Sequence, residues 1–99
     1  MAQITREIAA KWLGDAPQGR QFWCRDGRIL QNLSEMEVAL TLMTEETFRY
    51  HSNEVKKDFS RWIKDVIGDE DLARYLQQCD TRLAAAKIVA DRVAWLSGV

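Results

Sequence analysis

Phe48-Arg49-Tyr50-His51-Ser52-Asn53-Glu54-Val55-Lys56-Lys57-Asp58-Phe59-Ser60-Arg61-Trp62-Ile63-Lys64-Asp65-Val66-Ile67 is the stretch whose pattern decides the fold. From Val55 onward the apolar residues Val55, Phe59, Trp62, Ile63, Val66 and Ile67 fall at i, i+4, i+7, i+8, i+11 and i+12, one stripe of an amphipathic helix. The same stretch carries the single histidine of the chain, His51, and no recognised catalytic motif.

Downstream, Gly68 predicts the end of this helix, since glycine takes up the left-handed C-terminal conformation at least cost. Asp69 is the expected N-cap of a shorter helix over residues 70–79, with Leu72, Ala73, Tyr75 and Leu76 facing inward. Asp80 or Thr81 caps the last helix, residues 82–96, whose buried stripe is Ala85, Ile88, Val89, Val93 and Leu96. Upstream, Ser52 and Asn53 are weak helix formers that favour caps, so they predict a break and a fresh helical start near Asn53. Thr44 caps the preceding helix, with Glu45 and Glu46 in the first turn where the helix dipole favours negative charge. Ser34 with Glu37 reads as a capping box for a helix that runs to about Met43. Ile4, Ile8 and Trp12 repeat every four residues over residues 3–13, and Gly14 closes that first helix ahead of a loop around Pro17.

Phe22-Trp23-Cys24-Arg25 and Arg28-Ile29-Leu30 flank Asp26-Gly27, a dipeptide suited to a two-residue type I′ turn. The register this predicts sets Cys24 opposite Ile29, Trp23 opposite Leu30, and Arg25 opposite Arg28, a mildly unfavourable like-charge pair. A lone hairpin is unstable in water, so one of its faces must lie on the helices. The expected fold is therefore mainly α, a compact bundle of about five short helices with one small β-hairpin near residues 22–30, forming a single helical domain over residues 1–99.

Hydrophobic and charged contents of 46% and 29% sit near globular averages, which excludes disorder as the main description. No apolar run is long enough to span a membrane and the first residues lack the apolar core of a signal peptide, so a cytoplasmic protein without membrane contact is expected. Cys24 and Cys79 lie outside any Cys-x-x-Cys spacing, which speaks against a zinc site or a disulfide framework. Both are expected to be reduced and buried or half-buried. A net charge of −1 removes the long-range attraction that a basic protein has for nucleic acid, although it leaves room for local basic patches.

Phe48-x-Tyr50-His51, then Asp58-Phe59-x-x-Trp62-Ile63-x-Asp65-Val66-Ile67-Gly68-Asp69, then Leu72-Ala73, resembles the signature of a family of small uncharacterised prokaryotic domains, known only as a domain of unknown function. Asp26-Gly27-x-x-Leu30 and Leu33-x-Glu35-Met36 resemble that family too, so the likeness covers roughly residues 22–76. Members commonly carry asparagine before the Asp-Phe pair, where this chain has Lys57. The resemblance implies a small helical fold and brings no activity with it.

Three surfaces carry candidate chemistry. His51, Glu54 and Asp58 are spaced i, i+3 and i+7, a usable divalent-metal set on a continuous helix; the plainer reading makes His51 a hydrogen-bonding residue of the helix junction, with Asp58 balancing Lys57 or Arg61. Trp23, Arg25 and Arg28 would share one hairpin face, a sensible surface for a phosphate or a single-stranded base, unless Trp23 merely covers the core. Trp12, Trp23, Trp95 and Tyr50 are candidate partner contacts, because so short a chain cannot hide all its indoles. Neither cysteine is placed as a nucleophile, no serine sits on a glycine elbow, and nothing calls for a cofactor. The leading expectation is a non-enzymatic interaction or assembly module with a protein partner or self-association. Anion or nucleic-acid binding through the hairpin arginines is the alternative, and a metal-dependent site around His51 comes third.

Overall fold

Most helix starts in this chain are decided by one side-chain oxygen each. In the computed structural model, which describes residues 4–99, the elements run α1 (Arg6–Leu13), β1 (Phe22–Trp23), β2 (Ile29–Leu30), α2 (Leu33–Leu42), α3 (Glu45–His51), α4 (Asp58–Trp62), α5 (Glu70–Gln77) and α6 (Arg82–Ser97). A π-helical turn, Ile63–Ile67, continues α4. Among the described residues the fold is thus mainly helical with a two-stranded antiparallel hairpin; the break after His51 divides α3 from α4 and gives six helices. Gln3, the expected first residue of the first helix, lies outside the described residues.

Thr5, Thr44, Asp69 and Thr81 each accept a hydrogen bond from the backbone N–H three residues on, at 3.1–3.2 Å. The cap of α2 is Asn32 and not Ser34. Its Oδ1 accepts from the Glu35 N–H at 2.8 Å, Glu35 accepts in turn from the Gln31 N–H at 2.7 Å, and the Asn32 amide donates to Asp15 at 2.8 Å. Starting two residues early also places Leu33, which is completely buried, in the first turn of the helix.

The central helix begins later than its apolar spacing suggests. Asn53 Oδ1 accepts from the N–H groups of both Val55 and Lys56 at 2.9 Å, and the Asn53 N–H donates to the Lys56 carbonyl at 2.8 Å. Residues 53–56 are therefore a turn, Val55 is 88% exposed, and the fresh start falls at Asp58 and not near Asn53. At the other end Gly68, at φ 101°, donates its N–H to the Ile63 carbonyl at 2.7 Å and closes the π turn.

The hairpin also corrects its expected register. Phe22 pairs with Leu30 and Trp23 with Ile29, while the Cys24 N–H donates to the Arg28 carbonyl at 2.9 Å. The loop is three residues long, Arg25-Asp26-Gly27, with Gly27 left-handed at φ 98°. A type I turn followed by a left-handed glycine is the usual geometry for this loop length, and it removes the arginine cross-strand pair altogether.

These elements enclose one core. α2 packs along α6, α5 against α4, and α1 against α6. Leu33, Met36, Leu40, Ile63, Leu72, Val89 and Leu96 lie at its centre. Phe59 stacks on Phe22 at 5.1 Å and on Phe48 at 5.9 Å, and Trp62 meets Phe22 edge-on at 5.9 Å. Arg82 donates to the Leu40 and Thr41 carbonyls at 2.8 and 2.7 Å and so occupies the negative end of α2, while its Nε binds Glu45 at 2.9 Å. Tyr75 is not inward-facing as expected; it is 44% exposed, because Leu72, Ala73 and Leu76 already fill the buried stripe of α5. Ile88 and Val93 are half-buried rather than central.

Two stability changes follow. Trp62, 7% exposed and hydrogen-bonded through its indole N–H to the Arg20 carbonyl at 2.8 Å, should cost about 3–5 kcal/mol when changed to alanine, read by thermal or urea melts. Lys57 heads α4 without a side-chain cap bond, so Lys57→Asn should raise stability by about 1 kcal/mol in the same assay.

Candidate functional site

His51 ends α3 with its side chain turned into the protein, only 5% exposed. Its Nε2 accepts a hydrogen bond from the Arg25 backbone N–H at 2.9 Å. That bond needs a lone pair on Nε2, so the ring is neutral and Nδ1 bears the proton, donating it to Asp58 at 3.0 Å. The ring lies among Phe22, Phe59 and Tyr50 at 4.9–5.4 Å between centroids. One side chain thereby joins the hairpin loop, the end of α3 and the start of α4.

The helix break decides what becomes of the metal set. His51 and Asp58 do meet, but as hydrogen-bond partners, and Lys56 adds a salt bridge to the same carboxylate at 3.3 Å. Glu54 sits exposed in the intervening turn and joins neither. Among the described residues no three His, Cys, Asp or Glu side chains are arranged to hold a metal ion.

The hairpin arginines diverge. Arg28 binds Asp26 at 3.0 Å, whereas the Arg25 guanidinium lies 4.3 Å from the centroid of Tyr50, a ring that also carries the Lys56 ammonium at 3.8 Å. Burial works to raise the Asp26 carboxyl, but the Arg28 N–H, the Cys24 thiol and the Arg28 guanidinium outweigh it and hold Asp26 below the usual carboxylate range. Trp23 is 65% exposed beside Ile29 on the outer face, while Arg28 sits across from buried Cys24, so the expected shared face of Trp23, Arg25 and Arg28 does not form. Burial, with Asp26 beside it, pushes the Cys24 thiol up; burial and the Asp80 charge do the same to Cys79. Thiols held neutral in this way are poor nucleophiles.

The aromatic candidates fall into two groups. Tyr50 and Trp23 belong to the hairpin end. Trp12 and Trp95 flank Arg92, whose guanidinium lies 5.9 Å from the first ring and 4.5 Å from the second. Trp12 is half-buried against the core and Trp95 is 50% exposed. Trp95 stands over an open groove of about 700 Å³ between α5 and α6, lined by Tyr75, Cys79, Ala84, Ile88 and Asp91. Sequence reasoning found Trp95 and missed the rest of this groove. The available signal was the row Ala84, Ile88, Asp91, Trp95 at three- and four-residue steps, a second stripe on α6 beside the buried one.

Zinc, manganese or nickel should leave the melting temperature unchanged, because both ring nitrogens of His51 are already engaged; a saturable rise lost in His51→Ala would overturn this. His51→Ala itself should cost about 2–4 kcal/mol, since it leaves the Arg25 N–H without its acceptor and opens space beside Phe22 and Phe59. No protein-family model, no curated protein and no solved structure matches this chain.

Proposed function

We propose that the protein is a non-enzymatic interaction or assembly module whose contact surface is the groove between α5 and α6. The observation that carries this reading is Trp95, half exposed over an apolar floor with Tyr75, 44% exposed, on the facing wall. Large aromatic side chains held open to water beside a groove of this size are characteristic of protein contacts, where they serve as rigid anchors. An amphipathic helix fits such a channel between two helices. The rim selects the partner's charge: Asp80 and Asp91 lie along it, and the Arg92 charge is taken up by Asp69 beneath. A partner helix with Lys or Arg beside its apolar face is complementary.

A photo-crosslinking amino acid placed at Tyr75 in the expressing cell tests this. A discrete covalent adduct that disappears with Ile88→Glu is expected; a folded chain that gives none removes the groove as a contact surface.

Anion binding at the hairpin is a second reading, favoured by one observation: Arg25 lies on the Tyr50 ring with no carboxylate within salt-bridge distance among the described residues, beside Lys56, which shares that ring and pairs with Asp58. Binding of that kind weakens steeply with salt, with about one unit of slope for each phosphate that a basic side chain neutralises. Fluorescence anisotropy with a mixed-sequence single-stranded oligonucleotide should find no micromolar affinity near physiological salt. Tight binding abolished in the Arg25→Ala, Lys56→Ala double variant would replace the module reading with this one.

A further inference from the structure

α6 lacks the polar face that a surface helix needs. Its polar residues are Arg82, Lys87, Asp91, Arg92 and Ser97, and the two arginines turn back into the molecule, Arg82 to the carbonyl end of α2 and Arg92 to Asp69. Ser97 bonds the Val93 carbonyl at 2.7 Å. Only Lys87 and Asp91 remain for solvent, bound to each other at 3.2 Å, while Leu83 at 61% and Trp95 at 50% stand exposed toward the two ends. A helix that is apolar nearly all round is one that is covered on all sides.

The order of the exposed residues says by what. Ala84, Lys87, Asp91 and Ala94, all exposed, recur at steps of three, four and three, the spacing of a helix-pairing seam. This seam is complementary to itself when reversed about the height of Val89. In an antiparallel pair, residues equidistant from the two-fold axis share a layer, so Lys87 of one copy meets Asp91 of the other in two symmetric ion pairs. Ala84 faces Ala94, and these small side chains let the backbones approach closely. At the two ends of the seam Trp95 of one copy and Leu83 of the other, each six residues from Val89, come to the same height and extend its apolar surface. A parallel pair sets Lys87 on Lys87 and Asp91 on Asp91, which like charges oppose.

We infer that the occupant of this face is a second copy of the same chain, packed with its α6 antiparallel to the first in a two-fold dimer. This rests on the interaction-module reading and names its partner. The sixteen residues of α6 are about 24 Å long, and a strip of that length with the α5 rim hides on the order of 400–500 Å² per chain, at the lower end of specific interfaces. The dimer is accordingly a weak, concentration-dependent one.

Sedimentation velocity and light scattering from about 1 μM to 1 mM should follow the mass from 11.4 kDa toward twice that value. Trp95→Glu should leave the helical circular dichroism intact and remove dimerisation. Lys87→Asp should weaken the dimer at least tenfold, and Lys87→Asp with Asp91→Lys should restore it, because the symmetric pairs are exchanged and not removed. In a Cys79→Ser background, chains carrying Ala84→Cys should form a disulfide when mixed with chains carrying Ala94→Cys, and neither should do so alone. A chain that stays monomeric throughout overturns the inference, as does a dimer indifferent to Trp95→Glu and Lys87→Asp. A Tyr75 crosslink to a different protein, with the chain itself monomeric, would leave the module reading standing and end this one.

Discussion

The fold depends on a neutral imidazole with both of its nitrogens committed. Each strand of the hairpin contributes only two paired residues, far too little to hold itself together in water. What fixes it is outside the hairpin: Phe22 stacks into the aromatic cluster, and the Arg25 N–H at the loop ends on His51 Nε2. The imidazole is held in turn by Asp58, the first residue of α4, so the orientation of the ring sets the hairpin and the helix start together. A glutamine or asparagine could supply one of these bonds but not the flat apolar body that meets Phe22 and Phe59.

A second buried polar group acts in the same way where α5 begins. Asp69 is completely inaccessible, caps α5 through the Leu72 N–H, and receives both Nε and a terminal nitrogen of Arg92 at 2.7 and 2.9 Å. A buried ion pair contributes little net stability against an apolar replacement, yet removing one partner is expensive because the other is left charged and unpaired. Its value here is positional. Arg92 lies between Trp12 and Trp95, so the pair sets where α1, α5 and α6 meet and holds Trp95 at the mouth of the groove. Gly68 belongs to the same corner: a Cβ there would sit 3.2 Å from the Trp12 indole nitrogen, at a backbone angle that L side chains rarely adopt.

Helix existence, the caps at Thr44, Asp69 and Thr81, the stop at Gly68 and the break at Ser52-Asn53 were legible because each rests on one residue and its nearest neighbours. The errors arose where two local solutions competed. Asp26-Gly27 suits a two-residue turn as well as a three-residue loop, and burying Leu30 on the same face as Phe22, with Ile29 outside beside Trp23, decides for the second. Asn32 and Ser34 both offer caps, and Leu33 buried at the helix start decides between them. Val55 fits the apolar spacing, but Asn53 draws two backbone N–H groups into a turn first. His51, Asp58, Trp62, Gly68 and Asp69 all prove to have tasks in packing or hydrogen bonding, which fixes how the backbone is held and is compatible with any use of the surface.

The surface must therefore be read separately, by asking which polar side chains remain after the interior has taken what it needs. At the hairpin end the charges stay outside and largely paired, Arg28 with Asp26 and Lys56 with Asp58, which leaves Arg25 on Tyr50 as the one hairpin arginine without a carboxylate within salt-bridge distance among the described residues. On α6 the interior withdraws two arginines from a helix that has few polar residues to begin with. Every arginine drawn inward to fix α2 or Asp69 makes the outer side of that helix more apolar. The interactions that stabilise the monomer thus leave α6 an outer face that is largely apolar, the face on which the proposed dimer rests, with the Lys87–Asp91 pair placed symmetrically about Val89 at its middle.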